Sequence, residues 1–103
     1  MQQISNANYP SFYVIGISYK KADAKLRGLF NLSPTKKANL LNQAKSLEIE
    51  GLLTTSTCNR TEVYGLVNDP SILINLLCEN TDGNKESFDK VAYTFKNQEA
   101  ISH

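Results

Sequence analysis

The chain is short of the residues that would make several function classes possible. It has two cysteines and one histidine in 103 residues. Two cysteines in such different settings do not build a disulfide framework. One histidine with two cysteines, without close ligand spacing, excludes a structural zinc site. Charge of either sign is not in excess, because the net formal charge is +1. A polybasic nucleic-acid binder is therefore excluded, and any contact with a nucleic acid has to be local. No stretch reaches the roughly 18 apolar residues that a membrane span requires. Met1 to Pro10 is polar and carries no apolar segment of the signal-peptide kind. The five glycines, at positions 16, 28, 51, 65 and 83, form no dinucleotide fingerprint. A reducing, cytoplasmic setting without disulfides follows from the cysteine usage.

What is present fits one domain of ordinary globular composition, with 41% hydrophobic and 20% charged residues. Residues 1–10 read as a flexible leader and 11–103 as the domain. Phe12 to Ile17 is β-branched and aromatic, and reads as a buried strand. Ser18 to Gly28 reads as a polar connection bearing Lys20, Lys21, Lys25 and Arg27. Ser33-Pro34 has the signature of a helix start, with serine capping and proline in the first turn. Leu40, Leu41, Ala44 and Leu47 then recur at helical spacing, and Gly51 is the expected stop.

Leu52 to Ser56 and Arg60 to Val67 read as strands. The second alternates Thr61, Val63, Gly65 and Val67 with Glu62, Tyr64 and Leu66. Asp69-Pro70 opens another helix with Ile72, Leu73, Leu76 and Leu77 as its apolar stripe. Thr81 to Asp89 reads as a polar loop. Val91 to Phe95 reads as a fourth strand, with Tyr93 and Phe95 pointing inward. Residues 97–100 read as the first turn of a third helix, as in a piece cut from a longer protein. The order predicts an α+β, ferredoxin-like βαββαβ fold: an antiparallel four-stranded sheet with two helices on one face.

Chemistry concentrates in Ser56-Thr57-Cys58-Asn59-Arg60-Thr61-Glu62-Val63-Tyr64, between the middle strands. A thiol attacks as its thiolate, and a neighbouring cation stabilises that anion. Arg60, two residues beyond Cys58, supplies the cation, or else a planar fork for a substrate carboxylate. Thr57 and Asn59 add hydrogen-bonding side chains. An ordinary polar turn with an incidental thiol fits the same residues. Cys78, inside an apolar helical run, reads as a small buried hydrophobe. The four basic residues between Lys20 and Arg27 read as a solvated patch, with phosphate contact as the functional alternative.

The same stretch resembles the signature of the glutamyl-tRNA reductases. Gly16-Ile17-Ser18-Tyr19-Lys20-Lys21-Ala22 is similar to the family's Gly-x-Asn-His-Lys-Thr-Ala segment, departing from it at Tyr19 and Lys21; beyond it, Asp23 stands where the family has Pro and Gly28 where an acidic residue is common. Glu99-Ala100-Ile101-Ser102-His103 is similar to the opening of its Glu-Ala-x-x-His-Leu-Phe helix. The resemblance implies an N-terminal catalytic domain, without the family's NADPH-binding and C-terminal dimerisation domains. It implies that Cys58 attacks the ester carbonyl of glutamyl-tRNA to give a thioester. NADPH then reduces the thioester to glutamate-1-semialdehyde, the first step of tetrapyrrole (5-aminolevulinate, porphyrin, haem) biosynthesis. It further implies substrate binding by Thr57, Cys58, Asn59 and Arg60, a catalytic contribution from His103, and a homodimeric parent. NADPH binding and reduction are not expected of these 103 residues alone. The alternative is a non-catalytic ferredoxin-like module that binds protein or RNA through its sheet face, where Tyr93 and Phe95 share a side.

Overall fold

The computed structural model describes residues 10–18, 20–49, 51–57 and 60–97. The strands are β1 (Ser11–Ile17), β2 (Leu53–Ser56), β3 (Thr61–Val67) and β4 (Ala92–Lys96). The helices are α1 (Ala24–Leu29), α2 (Pro34–Ser46), α3 (Ser71–Glu79) and α4 (Lys85–Val91). The strands form one sheet in the order β2-β3-β1-β4, and every neighbouring pair is antiparallel. With α2 and α3 as the crossover helices, this is the expected ferredoxin-like arrangement.

The helix starts follow from local chemistry. The Ser33 hydroxyl accepts a hydrogen bond from the Lys36 amide, and Pro34 sits where its missing N–H is not needed. The Asp69 carboxylate accepts from the Ser71 amide at 2.9 Å, opening α3. The end of α2 differs from expectation. The helix stops at Ser46, and Glu48 takes the left-handed conformation (φ 62°) ahead of Gly51 (φ 70°). Leu47, expected on the buried stripe, is consequently 54% exposed.

Two short helices, α1 and α4, interrupt stretches expected to be polar connections. In α1 the Asp23 side chain accepts from the Leu26 amide. In α4 the Asn84 side chain caps Ser87, and Phe88 and Val91 face the core. The stretch read as a loop over 81–89 therefore becomes helical from Lys85.

The core lies between the helices and one face of the sheet. Ile15, Ile17, Val63 and Val67 meet Leu40, Ala44, Leu73, Leu76, Leu77, Phe88 and Val91 there. Burying such side chains contributes about 1.5–3 kcal/mol each. Phe30 packs edge-on to Phe88 and also lies against Gly83, where a Cβ would fall 2.2 Å from its ring. The other sheet face carries no helix among the described residues. On it stand Phe12, Val14 and Gly16 of β1, Glu62, Tyr64 and Leu66 of β3, and Tyr93 and Phe95 of β4.

Candidate functional site

The site begins where β2 turns into β3. The Thr57 amide donates to the Arg60 carbonyl at 2.7 Å, and the Arg60 amide returns a longer bond of 3.4 Å to the Thr57 carbonyl. This pair continues the ladder that Ser56 and Thr61 end. Thr57 and Arg60 are both exposed, so these two of the four expected substrate-binding residues are at the surface. Cys58, Asn59 and His103 lie outside the described residues.

Ser56 fastens this end of the sheet to the segment after α1. Its hydroxyl oxygen accepts the Leu32 amide at 3.0 Å, and it lies 2.9 Å from Asn31 Oδ1 and 3.2 Å from Thr61 Oγ1. A hollow of about 480 Å³ opens between the two segments, lined by Arg27, Asn31, Ser56 and Thr57 among others. Arg27 is half-buried and donates to the Ala22 carbonyl at 2.7 Å. The basic group at Lys20 to Arg27 is thus not one uniformly solvated patch. Lys20, Lys21 and Lys25 are exposed, whereas Arg27 is partly structural.

Beneath the turn lies a feature that sequence reasoning missed. Glu62 is 3% exposed although it is on the helix-free face. Its carboxyl group accepts the Tyr64 hydroxyl at 2.9 Å and also the Tyr93 hydroxyl. Tyr93 is on β4 and Glu62 on β3, with β1 between them. Gly16 makes this reach possible, because it is the β1 residue paired with both. A Cβ at Gly16 would fall 2.6 Å from Tyr93 Oη, closer than side-chain atoms pack. Glycine here serves close approach in a strand rather than a turn.

Burial raises the Tyr93 phenol well above its ordinary value, and the hydrogen bond to Glu62 and its charge add to the shift. Tyr64 is raised for the same reasons in the same order, with Arg60 opposing in both cases. Arg60 is thus electrostatically coupled to this cluster. The only sequence sign was the alternation itself, which put Glu62 and Tyr64 together on the side opposite the core residues.

The expectation that Tyr93 and Phe95 point into the core is overturned. They are half-buried on the helix-free face, with ring centroids 5.4 Å apart. It is Ala92 that packs against the helix-side core. The reason is register: Phe95 and Tyr64 both pair with Val14, which is fully buried between strands bearing these rings.

Cys78, expected to be a small buried hydrophobe, is half-buried rather than buried. It lies against the core cluster, and burial, then the charge of Asp89, raises its thiol. No helix among the described residues is long and apolar enough to cross a membrane, and none of them form a His, Cys, Asp and Glu cluster fit for a metal ion.

Fold and turn together define an α+β domain of ferredoxin-like topology, with its polar chemistry gathered at the β2–β3 end of the sheet. The chain belongs to the family described as "Glutamyl-tRNAGlu reductase, N-terminal domain", whose model matches residues 15–103. It is 55% identical over 103 residues to a glutamyl-tRNA reductase of Flavobacterium psychrophilum, covering all of this chain and 25% of that protein. It is 59% identical over 92 residues to one from Christiangramia forsetii, covering 89% and 22% respectively. The chain therefore spans about a quarter of the length of these curated relatives. A solved glutamyl-tRNA reductase from Methanopyrus kandleri superposes with a TM-score of 0.64 at 21% identity, over 89% of this chain and 20% of that one. That likeness bears on the fold.

Proposed function

We propose that this chain is the catalytic N-terminal domain of a glutamyl-tRNA reductase acting in the cytoplasm at the start of tetrapyrrole biosynthesis, and that Cys58 is its nucleophile. The observation that carries the reading is the Thr-Cys-Asn-Arg sequence of a family member, bracketed by the Thr57–Arg60 backbone pair with Arg60 exposed. In the proposed step the Cys58 thiolate attacks the carbonyl carbon of the aminoacyl ester. A C–S bond forms, the ester C–O bond breaks, and the terminal ribose hydroxyl leaves with a proton. A thiolate is the right nucleophile, because the resulting thioester is more electrophilic than the ester it replaces and the cysteine is recoverable.

Arg60 has two contributions in this reading. Its charge favours the thiolate, and its guanidinium can take the glutamate carboxylate in a bidentate grip. Thr57 and Asn59 supply hydrogen bonds to the aminoacyl group. His103 orients the substrate or carries the proton to the leaving hydroxyl.

The residues described do not fit a dinucleotide. Their sheet is antiparallel throughout, so it has no switch point between adjacent parallel strands at which such a cofactor sits. The hydride step that NADPH performs in a glutamyl-tRNA reductase is accordingly not routed through these residues.

The test is Cys58→Ser in the full-length protein. Reduction of glutamyl-tRNA is lost and the circular dichroism spectrum is kept. Near-normal turnover in that variant would remove Cys58 from the mechanism.

A further inference from the structure

At the β1–β4 side of the turn a second hollow, of about 240 Å³, is lined by Lys20, Lys21, Arg60, Tyr93 and Phe95, with Ile17, Ser18 and Ala92 completing it. Three cations border it. The carboxyl group closest in the sheet, Glu62, is buried and holds the hydroxyls of Tyr64 and Tyr93. Charge complementarity therefore favours an anionic occupant. The walls are equally marked by apolar and aromatic surface, which favours a flat ring. A phosphate joined to a base combines the two. The volume is below the ~300 Å³ at which pockets for drug-sized ligands begin, so one nucleotide is the scale of the fit rather than a length of strand.

We propose that this hollow seats the 3′-terminal nucleotide of the RNA whose aminoacyl ester the turn attacks, with Lys20 and Lys21 on its phosphate and the Tyr93 and Phe95 rings against its base. The proposal rests on the acyl-transfer reading above and adds a seat for the part of the substrate that leaves. Arg60 borders the hollow and closes the turn, so ester and nucleotide occupy adjoining ground. Stacking accepts any base, because every base offers a π-face. The hollow therefore senses the presence of a terminal base and not its identity. Lys20 and Lys21 act as point charges and set the salt dependence.

The experiment is equilibrium binding of a fluorescein-labelled RNA hairpin with a four-nucleotide single-stranded 3′ end to the full 103-residue chain. A second RNA is identical but abasic at its last nucleotide. Removing the base should weaken binding about tenfold. Phe95→Leu should weaken the intact RNA by a similar factor and leave the abasic RNA unchanged, so that the two RNAs bind alike. Lys20→Ala with Lys21→Ala should weaken both RNAs equally and reduce the salt slope by about 1–2.

Equal binding of the two RNAs by the unsubstituted chain, or no binding of either, would overturn the proposal. That comparison needs no variant, so a folding defect in Phe95→Leu does not blunt it. Alkylation of Cys58 by iodoacetamide without RNA decides the other reading separately. Base-dependent binding with an unreactive Cys58 would sink the nucleophile and keep the seat, and a reactive Cys58 with no base dependence would do the reverse.

Discussion

Gly16→Ala should unfasten the sheet without touching the turn. The new methyl carbon would stand 2.6 Å from Tyr93 Oη, 2.7 Å from Tyr93 Cζ and 2.9 Å from Glu62 Cγ. Two responses are open to the protein. It can keep the Tyr93–Glu62 hydrogen bond and absorb the overlap as strain, at about 1–3 kcal/mol. Or it can swing the ring away and leave a buried acceptor short of a donor, again at about 1–3 kcal/mol. Against either, alanine is favoured over glycine within a strand by roughly 0.5–1 kcal/mol. The net loss should be about 1–2 kcal/mol, a fall in Tm of roughly 5–15 °C for a domain of this size. Urea unfolding followed by circular dichroism measures it, and the midpoint should drop by on the order of 1 M. The decisive control repeats the substitution in a Tyr93→Ala background. With the ring gone, Gly16→Ala should be neutral or stabilising. The same loss in both backgrounds would show that the Tyr93 crossing is not why glycine stands at this position.

Three further outcomes can be checked directly. Iodoacetamide should label Cys58 well below pH 8, while Cys78, its thiol raised by burial, reacts only once the domain is unfolded; equal rates for the two would contradict the site assignment. Tyr93 holds its proton more tightly in the folded state than the ordinary value of 10.0, so its contribution is fully present below that pH and is lost as pH rises beyond it. The urea midpoint should fall above pH 10, less steeply in Tyr93→Phe, and parallel curves would refute the coupling. Ser56→Ala strands the Leu32 amide and should cost about 1–2 kcal/mol in urea unfolding; a neutral result would show that the contact to the segment after α1 is not binding.

Strand order and helix starts were legible because they rest on local chemistry. The Ser33-Pro34 and Asp69-Pro70 pairs announce helices whatever surrounds them, and alternation marks β3 plainly. The short helices were hidden for a physical reason. In α1 only six residues follow Asp23, too few for a stripe, and α4 shows just Phe88 and Val91 at helical spacing behind the Asn84 cap. The inward face of β4 is not legible in the sequence, because period two separates two faces without saying which one meets the helices. Bulk pointed to Tyr93 and Phe95, but the pairing of β4 with β1 puts them beside Val14 and Gly16 on the helix-free side. At the site, the Thr57 to Arg60 run was readable as a motif. The Glu62 cluster was not, since it depends on a glycine in β1 and a tyrosine in β4 that come together only when three strands are in register.

The strand order has one more implication. β2 is only four residues long and lies at the rim of the sheet, bonded to β3 on one side. Thr57 hangs directly from it. The leg of the hairpin that leads to Thr57 is therefore the one most ready to fray, and the Ser56 hydroxyl is what pins it to Leu32. Releasing that pin would let amide hydrogens along β2 exchange early while β1 and β3 stay protected, so this end of the sheet can loosen on a timescale of its own.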